Sequence, residues 1–345
     1  MAKQKAYAAA GVDIDAANRT KKRIAGLVRA TFGPEVLSDI GEFGGLFAPP
    51  WRDYDDPVLV ASTDSVGTKL KVAFLTGIHH TVGADIVAHC ANDILVQGAR
   101  PLFFLDYLGI GRHDPEVVTE VIEGIASGCK ACGCALLGGE MAELPGFYAD
   151  GEYDLAGFIV GIVDRGHILD GSAVCAGDAL IGLGATGLHT NGYSLARKLL
   201  FETAGWTVDT YVEDLGTGVG EALLAPHRPY VSAVLSLMAS LPVRGMAHIT
   251  GGGLIDNLPR ALPRGLGARI RRGAWPELPI FSLLQRLGDI EEAEMFQAFN
   301  MGLGMVLIIP PDCVEDALGK LQSEGEAAYW VGEVADDPNH AVRIV

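Results

Sequence analysis

A two-domain chain of the α+β or α/β class is what the sequence predicts, on three observations. Apolar runs of strand length alternate with amphipathic helical stretches as far as Gly171. The pattern then restarts at Ala173, within the turn-rich stretch DGSAVCAGD. Many of the 45 glycines in the 345 residues close an apolar run, where a strand must turn tightly into the next element. The boundary falls so that residues 1–170 form an N-terminal domain and residues 171–345 a C-terminal one. Each is long enough for its own core.

The elements follow in chain order. Ile24, Leu27, Val28 and Phe32 recur at helical spacing behind Asn18, which reads as an N-cap. IGEFGGLFAPPW carries too much glycine and proline for a regular element and is a loop. PVLVAST is a strand, TVGADIVAHCANDILVQGA a helix with Val82, Ile86, Cys90 and Ile94 turned inward, and PLFFLDYLGI a strand. DPEVVTEVIEGIASGC opens a helix with Asp114 as cap and Pro115 at its first position. ALLGGE and DLAGFIVGIV are two further strands. In the second half DALIGLG is a strand, SLARKLLFETAG and RPYVSAVLSLMASL are helices, and HITGGGLIDNLPRAL is a glycine loop feeding a helix. FNMGLGMVLIIP, a helix from Pro311 and the strand YWVGEV complete the chain.

Composition narrows the function. With 49% hydrophobic and 20% charged residues the chain is globular, and a formal charge of −17 excludes a general nucleic-acid binder. The basic runs at Arg19–Arg23 and Arg269–Arg272 read as solvated faces. The start lacks an apolar leader and no run reaches membrane-spanning length, so a cytoplasmic protein is expected, with no membrane partner. Cys129, Cys132 and Cys134 have no second ligand cluster and read as buried thiols rather than a zinc site.

Acidic residues in apolar surroundings carry the chemistry. Asp64 ends a strand within STDSVGTKLK; Asn92 and Asp93 share a helix with Asp85 and His89 at spacings of three and four. Asp106 sits inside LFFLDYL, and Glu140 follows LLGG. Converging carboxylates repel one another unless a cation lies between them, and oxygen ligands suit magnesium carrying a nucleotide's phosphates. Thr68 offers a hydroxyl and Lys69 a point charge to such phosphates. Taken singly, each acid also fits a turn or cap, and Asp106 fits a buried structural hydrogen bond.

A competing signal lies in IGLGATG, where Gly182, Gly184 and Gly187 imitate a dinucleotide fingerprint with Asp209 downstream. The helix should then begin inside the glycine turn, but LHTNGY intervenes. His189, Thr190, Asn191 and Ser194 precede or open the next helix instead. Thr250, Gly251 and Gly252 repeat the device, so both turns can receive an anion or can simply be glycine turns with structural histidines.

YAAAGVDIDA, STDSVGTKLK, ANDILVQGARPLFFLDY, GGEMAELPGFY, GLHTNGYSLARK, HITGGG and FNMGLGM occur in that order. Together they resemble the phosphoribosylformylglycinamidine cyclo-ligase (AIR synthetase) family over nearly the whole chain. The resemblance implies ATP-dependent ring closure of formylglycinamidine ribonucleotide to aminoimidazole ribonucleotide, with ADP and phosphate released, in purine biosynthesis. It implies ATP and Mg2+ as cofactors, a small ribonucleotide as substrate, and a homodimer in which four-stranded N-terminal sheets pair into a barrel beside a C-terminal α/β domain. Carried onto this sequence, Asp64, Asp93 and Glu140 would hold magnesium, and Thr68, Lys69 and Asn92 would steady the triphosphate. His189, with Lys69, would be catalytic, either stabilising the transferred phosphoryl group or taking the amidine proton. Thr190, Asn191, Ser194 and the Thr250–Gly251–Gly252 turn would seat the substrate. Ser65, Met141, Leu188 and Thr190 depart from the family's usual residues without removing a proposed ligand. Another ATP-using member of the superfamily, a small-metabolite kinase or amide-activating synthetase, is the alternative, and a nicotinamide-dependent oxidoreductase the more distant one.

Overall fold

The computed structural model describes residues 14–345, so the YAAAGVD stretch and the expectation about the chain's start lie outside the described residues. The first helix, α1 (Ile14–Arg29), already includes Asn18, which is therefore inside the helix and not its cap.

The N-terminal unit then runs β1 (Pro57–Ser65), α2 (Leu70–Thr76), α3 (His80–Leu95), β2 (Arg100–Ile110), α4 (Pro115–Cys132), β3 (Ala135–Glu143) and β4 (Tyr153–Asp164). Its four strands form one sheet in the order β1-β4-β2-β3. The crossover through α4 makes β2 and β3 parallel, while β4 is antiparallel to both β1 and β2. The predicted cap of α4 is present: Asp114 accepts from the N–H groups of Glu116 and Val117, and Gly133 ends the helix at φ +67°. Helices α3 and α4 touch backbone to backbone. A Cβ on Gly124 would lie 1.8 Å from the His80 carbonyl oxygen, and one on Gly83 2.1 Å from that of Val121.

These helices cover one face of the sheet with a core that includes Ile86, Ile94, Phe104, Val121 and Ile125. Among the described residues the opposite face is largely bare apart from Phe47 against Phe103, with Leu59 at 52% and Phe158 at 46% exposure.

The C-terminal unit comprises β5 (Ala179–Gly184), α5 (Tyr193–Arg197), the short ribbon β6 (Tyr211–Val212) and β7 (Thr217–Gly218), α6 (Val219–Leu223), α7 (Val231–Met238) and β8 (Gly245–His248). It continues with α8 (Gly253–Asn257), β9 (Leu266–Ile270), α9 (Pro279–Gly288), α10 (Glu292–Ala298), β10 (Leu303–Ile309), α11 (Val314–Ser323), β11 (Ala328–Asp336) and β12 (Val342–Ile344). Six strands pair in the order β12-β9-β11-β5-β10-β8, and every pairing but β12–β9 is antiparallel. The expected C-terminal α/β unit is corrected to an α+β one, because alternation along the chain does not specify which strands become neighbours. Strand β10 is buried along its whole length, as its unbroken apolar run requires.

This topology also overturns the dinucleotide reading. Strand β5 is antiparallel on both sides, and no helix starts in its glycine turn. Gly182 is needed for packing instead: a Cβ there would meet Leu303 and Val331 side chains at 2.8 Å. Cys90, Cys129, Cys132 and Cys134 are buried free thiols, and burial pushes the Cys129 and Cys132 thiols well up from the ordinary value. Among the described residues no helix is long and apolar enough to cross a membrane.

Candidate active site

Helix α3 supplies the centre of the site. Asp85, His89, Asn92 and Asp93 recur at three- and four-residue intervals and so share one face. That face meets the C-terminal unit at every one of them. Asp85 accepts from the His227 N–H at 2.6 Å, His89 Nδ1 lies 2.7 Å from Thr190 Oγ1, Asn92 donates to the Arg228 carbonyl at 2.9 Å, and Asp93 faces His248 Nδ1 at 2.9 Å.

One end of this contact opens into a cleft. Strand β1 brings Ser62 and Asp64 to the same side of the sheet as α3, since alternate residues of a strand share a face. Asp64 Oδ2 lies 2.9 Å from His89 Nε2, and Asp93 Oδ2 lies 3.7 Å from the same nitrogen. Ser62 donates to Asp93 at 3.3 Å. Across the gap, β8 ends in His248 and leads into Thr250, with Asn257 and Arg260 behind. The cavity between the two walls has a volume of about 500 Å³.

Charge is unevenly distributed along the cleft. The His89 hydrogen bond, against the opposing effect of burial, holds the Asp64 carboxyl below the usual carboxylate range. Burial pushes Asp93 up, but its bond to His248 and the nearby histidines outweigh this and leave it lowered. For His89, burial opposes the charge, and the bond to Asp64 with the charges of Asp93, Asp64 and Asp85 overcomes it, so its pKa is raised. His248 goes the other way, because burial there exceeds the help from Asp93. Both carboxylates are thus ionised at neutral pH beside a cavity, an arrangement whose charge and donor type suit a cation.

The other end of the contact is sealed. Lys69 has no exposure; its Nζ lies 2.7 Å from Asp85 Oδ2 and donates to the carbonyls of Ala225 at 2.8 Å and His189 at 3.1 Å. Burial lowers the Lys69 pKa and raises that of Asp85, and their mutual attraction opposes both shifts. His189 is fully buried and stacks on His227 with ring centres 4.0 Å apart. Its backbone takes φ +61°, a left-handed conformation uncommon outside glycine. Burial, with the neighbouring cations, holds His189 and His227 well below the ordinary histidine value.

The structure therefore divides the sequence-predicted residues. Asp64, Asp93 and Thr250 line the cleft. Thr68 and Ser194 meet across the two units at 3.2 Å, and a Cβ on Gly251 would lie 3.3 Å from Asn191 Oδ1, so the two glycine turns are neighbours. Gly252 is at φ +94° in the turn itself. Thr190 lies between His89 and His227 and acts behind the cleft wall. Lys69 and Asn92, expected at phosphate, are instead buried and spend their polar atoms on the contact between the units; His189 is also buried, its carbonyl accepting from Lys69, its Nε2 accepting from the Thr186 N–H of its own unit and its Nδ1 without a hydrogen-bond partner among the described residues.

Glu140 is set apart. Asp64, Gly157, Asp106 and Gly139 form one cross-strand row, and Glu140 follows in the next row opposite Tyr107. It thus points to the bare face, about 14 Å from Asp64 across three strand spacings. Asp106 is on the helix-covered side, over Gly139, and burial, with a smaller push from Glu140, raises its pKa to about 7.

Sequence reasoning missed His248, Arg260 and Asn257 as cleft residues and His227 as the link behind them. His89 had a legible signal, standing four residues before Asp93 on one helix. The others come from segments far along the chain, and no local spacing ties them to Asp64.

Residues 51–163 match the family model described as AIR synthase related protein, N-terminal domain, and residues 176–345 match its C-terminal domain counterpart. The phosphoribosylformylglycinamidine cyclo-ligase of Syntrophotalea carbinolica is 55% identical, covering 96% of this chain and 95% of its own. That of Desulfatibacillum aliphaticivorans is 54% identical, covering 97% and 96%. Among solved structures, thiamine-monophosphate kinase from Stenotrophomonas maltophilia shares the fold, with a TM-score of 0.68 at 19% identity over 93% of this chain and 95% of its own. A hydrogenase maturation protein HypE, solved in complex with ATP, gives 0.63 at 17% identity over 94% and 90%. The chain belongs to the phosphoribosylformylglycinamidine cyclo-ligase family, within the AIR synthase related proteins.

Proposed function

We propose that the cleft between the two units, with residues 1–170 and 171–345 as its two domains, is where this ligase closes the imidazole ring. The observation that carries the reading is the pair of ionised carboxylates, Asp64 and Asp93, facing Thr250 and Arg260 across one cavity. The activity is that of the family: formylglycinamidine ribonucleotide and ATP yield aminoimidazole ribonucleotide, ADP and phosphate. The γ-phosphoryl group moves to the formyl oxygen, the ribose-bearing amidine nitrogen attacks the formyl carbon, and phosphate leaves. Such a reaction asks the protein chiefly for positioning and charge neutralisation.

Asp64 and Asp93 fit magnesium, since both offer carboxylate oxygens gathered around one point of the cavity wall. Bound there with ATP, the ion would neutralise phosphate charge. Thr68 and Ser194 stand at the meeting of the two units, placed to give hydroxyls to phosphate oxygens. Thr250, Gly251 and Gly252, with Asn191 alongside, seat the ribonucleotide, and Arg260 supplies the guanidinium for its phosphate. Lys69 and Asn92 act by holding the units in register, and His189 acts through His227, whose ring faces His248.

The bare sheet face supports a homodimer: Leu59 and Phe158 are apolar, exposed and on neighbouring strands, and Glu140 lies on the same face. Leu59→Glu with Phe158→Glu is expected to give a monomer by analytical ultracentrifugation; an unchanged mass would refute this interface.

The function is tested by incubating purified protein with magnesium, ATP and formylglycinamidine ribonucleotide, measuring ADP and identifying the product by mass. Matched ADP and aminoimidazole ribonucleotide, lost in Asp93→Asn, is the expected result. ATP binding without ring closure would reject the substrate assignment.

A further inference from the structure

We propose that Thr190 and His89 are positioning residues for magnesium–ATP. The Thr190 hydroxyl, reaching across from the C-terminal unit, orients the His89 ring, and the Nε2–H of that ring holds Asp64 beside Asp93. The inference rests on the magnesium reading above and adds to it how the two carboxylates are held.

Six side chains form a closed chain of contacts that leaves one carboxylate and returns to the other. Asp64 Oδ2 is 2.9 Å from His89 Nε2, His89 Nδ1 is 2.7 Å from Thr190 Oγ1, and Thr190 Oγ1 is 3.4 Å from His227 Nδ1. His227 Nε2 is 3.1 Å from His248 Nε2, and His248 Nδ1 is 2.9 Å from Asp93 Oδ1. Asp64, His89 and Asp93 belong to the N-terminal unit and Thr190, His227 and His248 to the C-terminal one, so the chain crosses between the units twice.

Proton counting fixes the direction at His89. An ionised Asp64 can only accept, so Nε2 carries a proton. The Thr190 hydroxyl partners Nδ1 as donor to a neutral ring or as acceptor from a charged one, and in either state Nε2–H faces Asp64. A ring turned by half a rotation would present carbon to both Asp64 and Thr190, so the Thr190 bond selects the orientation. His89 is only 4% exposed, and Thr190 rather than solvent supplies its far partner.

The carboxylates gain a fixed direction from this arrangement. Each of their four oxygens accepts one hydrogen bond: Asp64 Oδ1 from the Ser65 N–H at 2.7 Å, Asp64 Oδ2 from His89, Asp93 Oδ1 from His248, and Asp93 Oδ2 from Ser62 at 3.3 Å. A carboxylate oxygen has a second lone pair, so each stays able to meet an ion while its direction is held. His89 Nε2 also lies 3.7 Å from Asp93 Oδ2, and its N–H offsets the repulsion between the two acids.

The test measures ATP binding to the full chain by calorimetry across a series of Mg2+ concentrations. Thr190→Val is expected to raise the Mg2+ concentration for half-maximal ATP binding about 10-fold, and Thr190→Ser, which keeps the hydroxyl, to restore it. His89→Leu should raise it by about 10- to 100-fold, and His89→Gln, whose amide N–H reaches the Nε2 position, should recover part of the loss. In kinetics, KM for ATP at fixed Mg2+ should rise in Thr190→Val while KM for formylglycinamidine ribonucleotide does not change, a split that general loosening of the fold would not produce. An unchanged Mg2+ dependence in Thr190→Val, an equal loss in Thr190→Ser, or a rise confined to the ribonucleotide KM would overturn the proposal. If a variant fails to fold, long-range 1H–15N spectra of the wild type decide: Nε2 of His89 is expected to carry a proton, and a ring bare at Nε2 overturns the proposal. Wild-type ATP binding that ignores Mg2+ would overturn the magnesium reading and this proposal with it, whereas Mg2+-dependent binding that the variants leave unmoved would overturn this proposal alone.

Discussion

Two clusters of polar side chains lie on the same face of α3, yet they obey opposite electrostatics. Around Asp64, His89, Asp93 and His248 the cleft admits water, and both carboxylates have depressed pKa values. Around Lys69, Asp85, His189 and His227 nothing is exposed, and burial raises the acid and lowers the bases. The difference teaches that a carboxylate's role here follows from solvent access more than from its neighbours in sequence. Asp85 and Asp93 are eight positions apart on one helix, but only Asp93 can present a charge to a ligand.

The largest effect should come from breaking the sealed cluster. Lys69→Met leaves Asp85 buried without its partner and is expected to cost about 3–5 kcal/mol in urea unfolding. Lys69→Met with Asp85→Leu should recover much of that loss; a double variant as unstable as the single one would show that the pair is not the source.

Breaking the open cluster should do the reverse. Asp93→Asn is expected to lower kcat/KM by about 100-fold or more, equivalent to about 2.7 kcal/mol of transition-state stabilisation, while the unfolding midpoint moves little. A loss of stability matching that of Lys69→Met would erase the distinction between the two clusters.

Acid should separate them further. His189 resists protonation when folded, so its contribution to stability is present above the ordinary histidine value of 6.5 and is lost as the pH falls below it. His189→Asn keeps a residue tolerant of the left-handed backbone and should flatten the acid side of the stability profile by up to about 1.4 kcal/mol per pH unit. A profile unchanged between pH 4.5 and 6.5 would place its titration elsewhere.

The smallest effect is expected where the two units meet in solvent. Thr68→Ala removes only the contact with Ser194 and should cost no more than about 1 kcal/mol, with KM for ATP raised more than kcat is lowered. An unaltered KM would remove Thr68 from the phosphate site.

Much of this protein was legible in its sequence. The strands β1 to β5, the long helices α3 and α4 and the Asp114 cap follow from local periodicity and capping, which need only a few neighbouring residues. The short elements Gly245–His248, Leu266–Ile270 and Glu292–Ala298 did not, because runs of four to seven residues carry little periodic signal. The carboxylates Asp64 and Asp93 could be named as candidate ligands from residue type and position, and both line the cleft. The burial of Lys69 and His189 could not be foreseen, since a lysine beside a strand end looks the same whether it faces phosphate or a buried aspartate.

What the sequence determined by itself is therefore the elements, the family and the chemical types available at the site. Only the tertiary structure decided that β5 is flanked antiparallel, that Glu140 stands on the far face from Asp64, and that His248 closes on Asp93 from 155 residues away. The reason is physical. Local preferences act over a turn or a strand pair, whereas burial, which sets each group's charge and reach, exists only once distant segments have packed together.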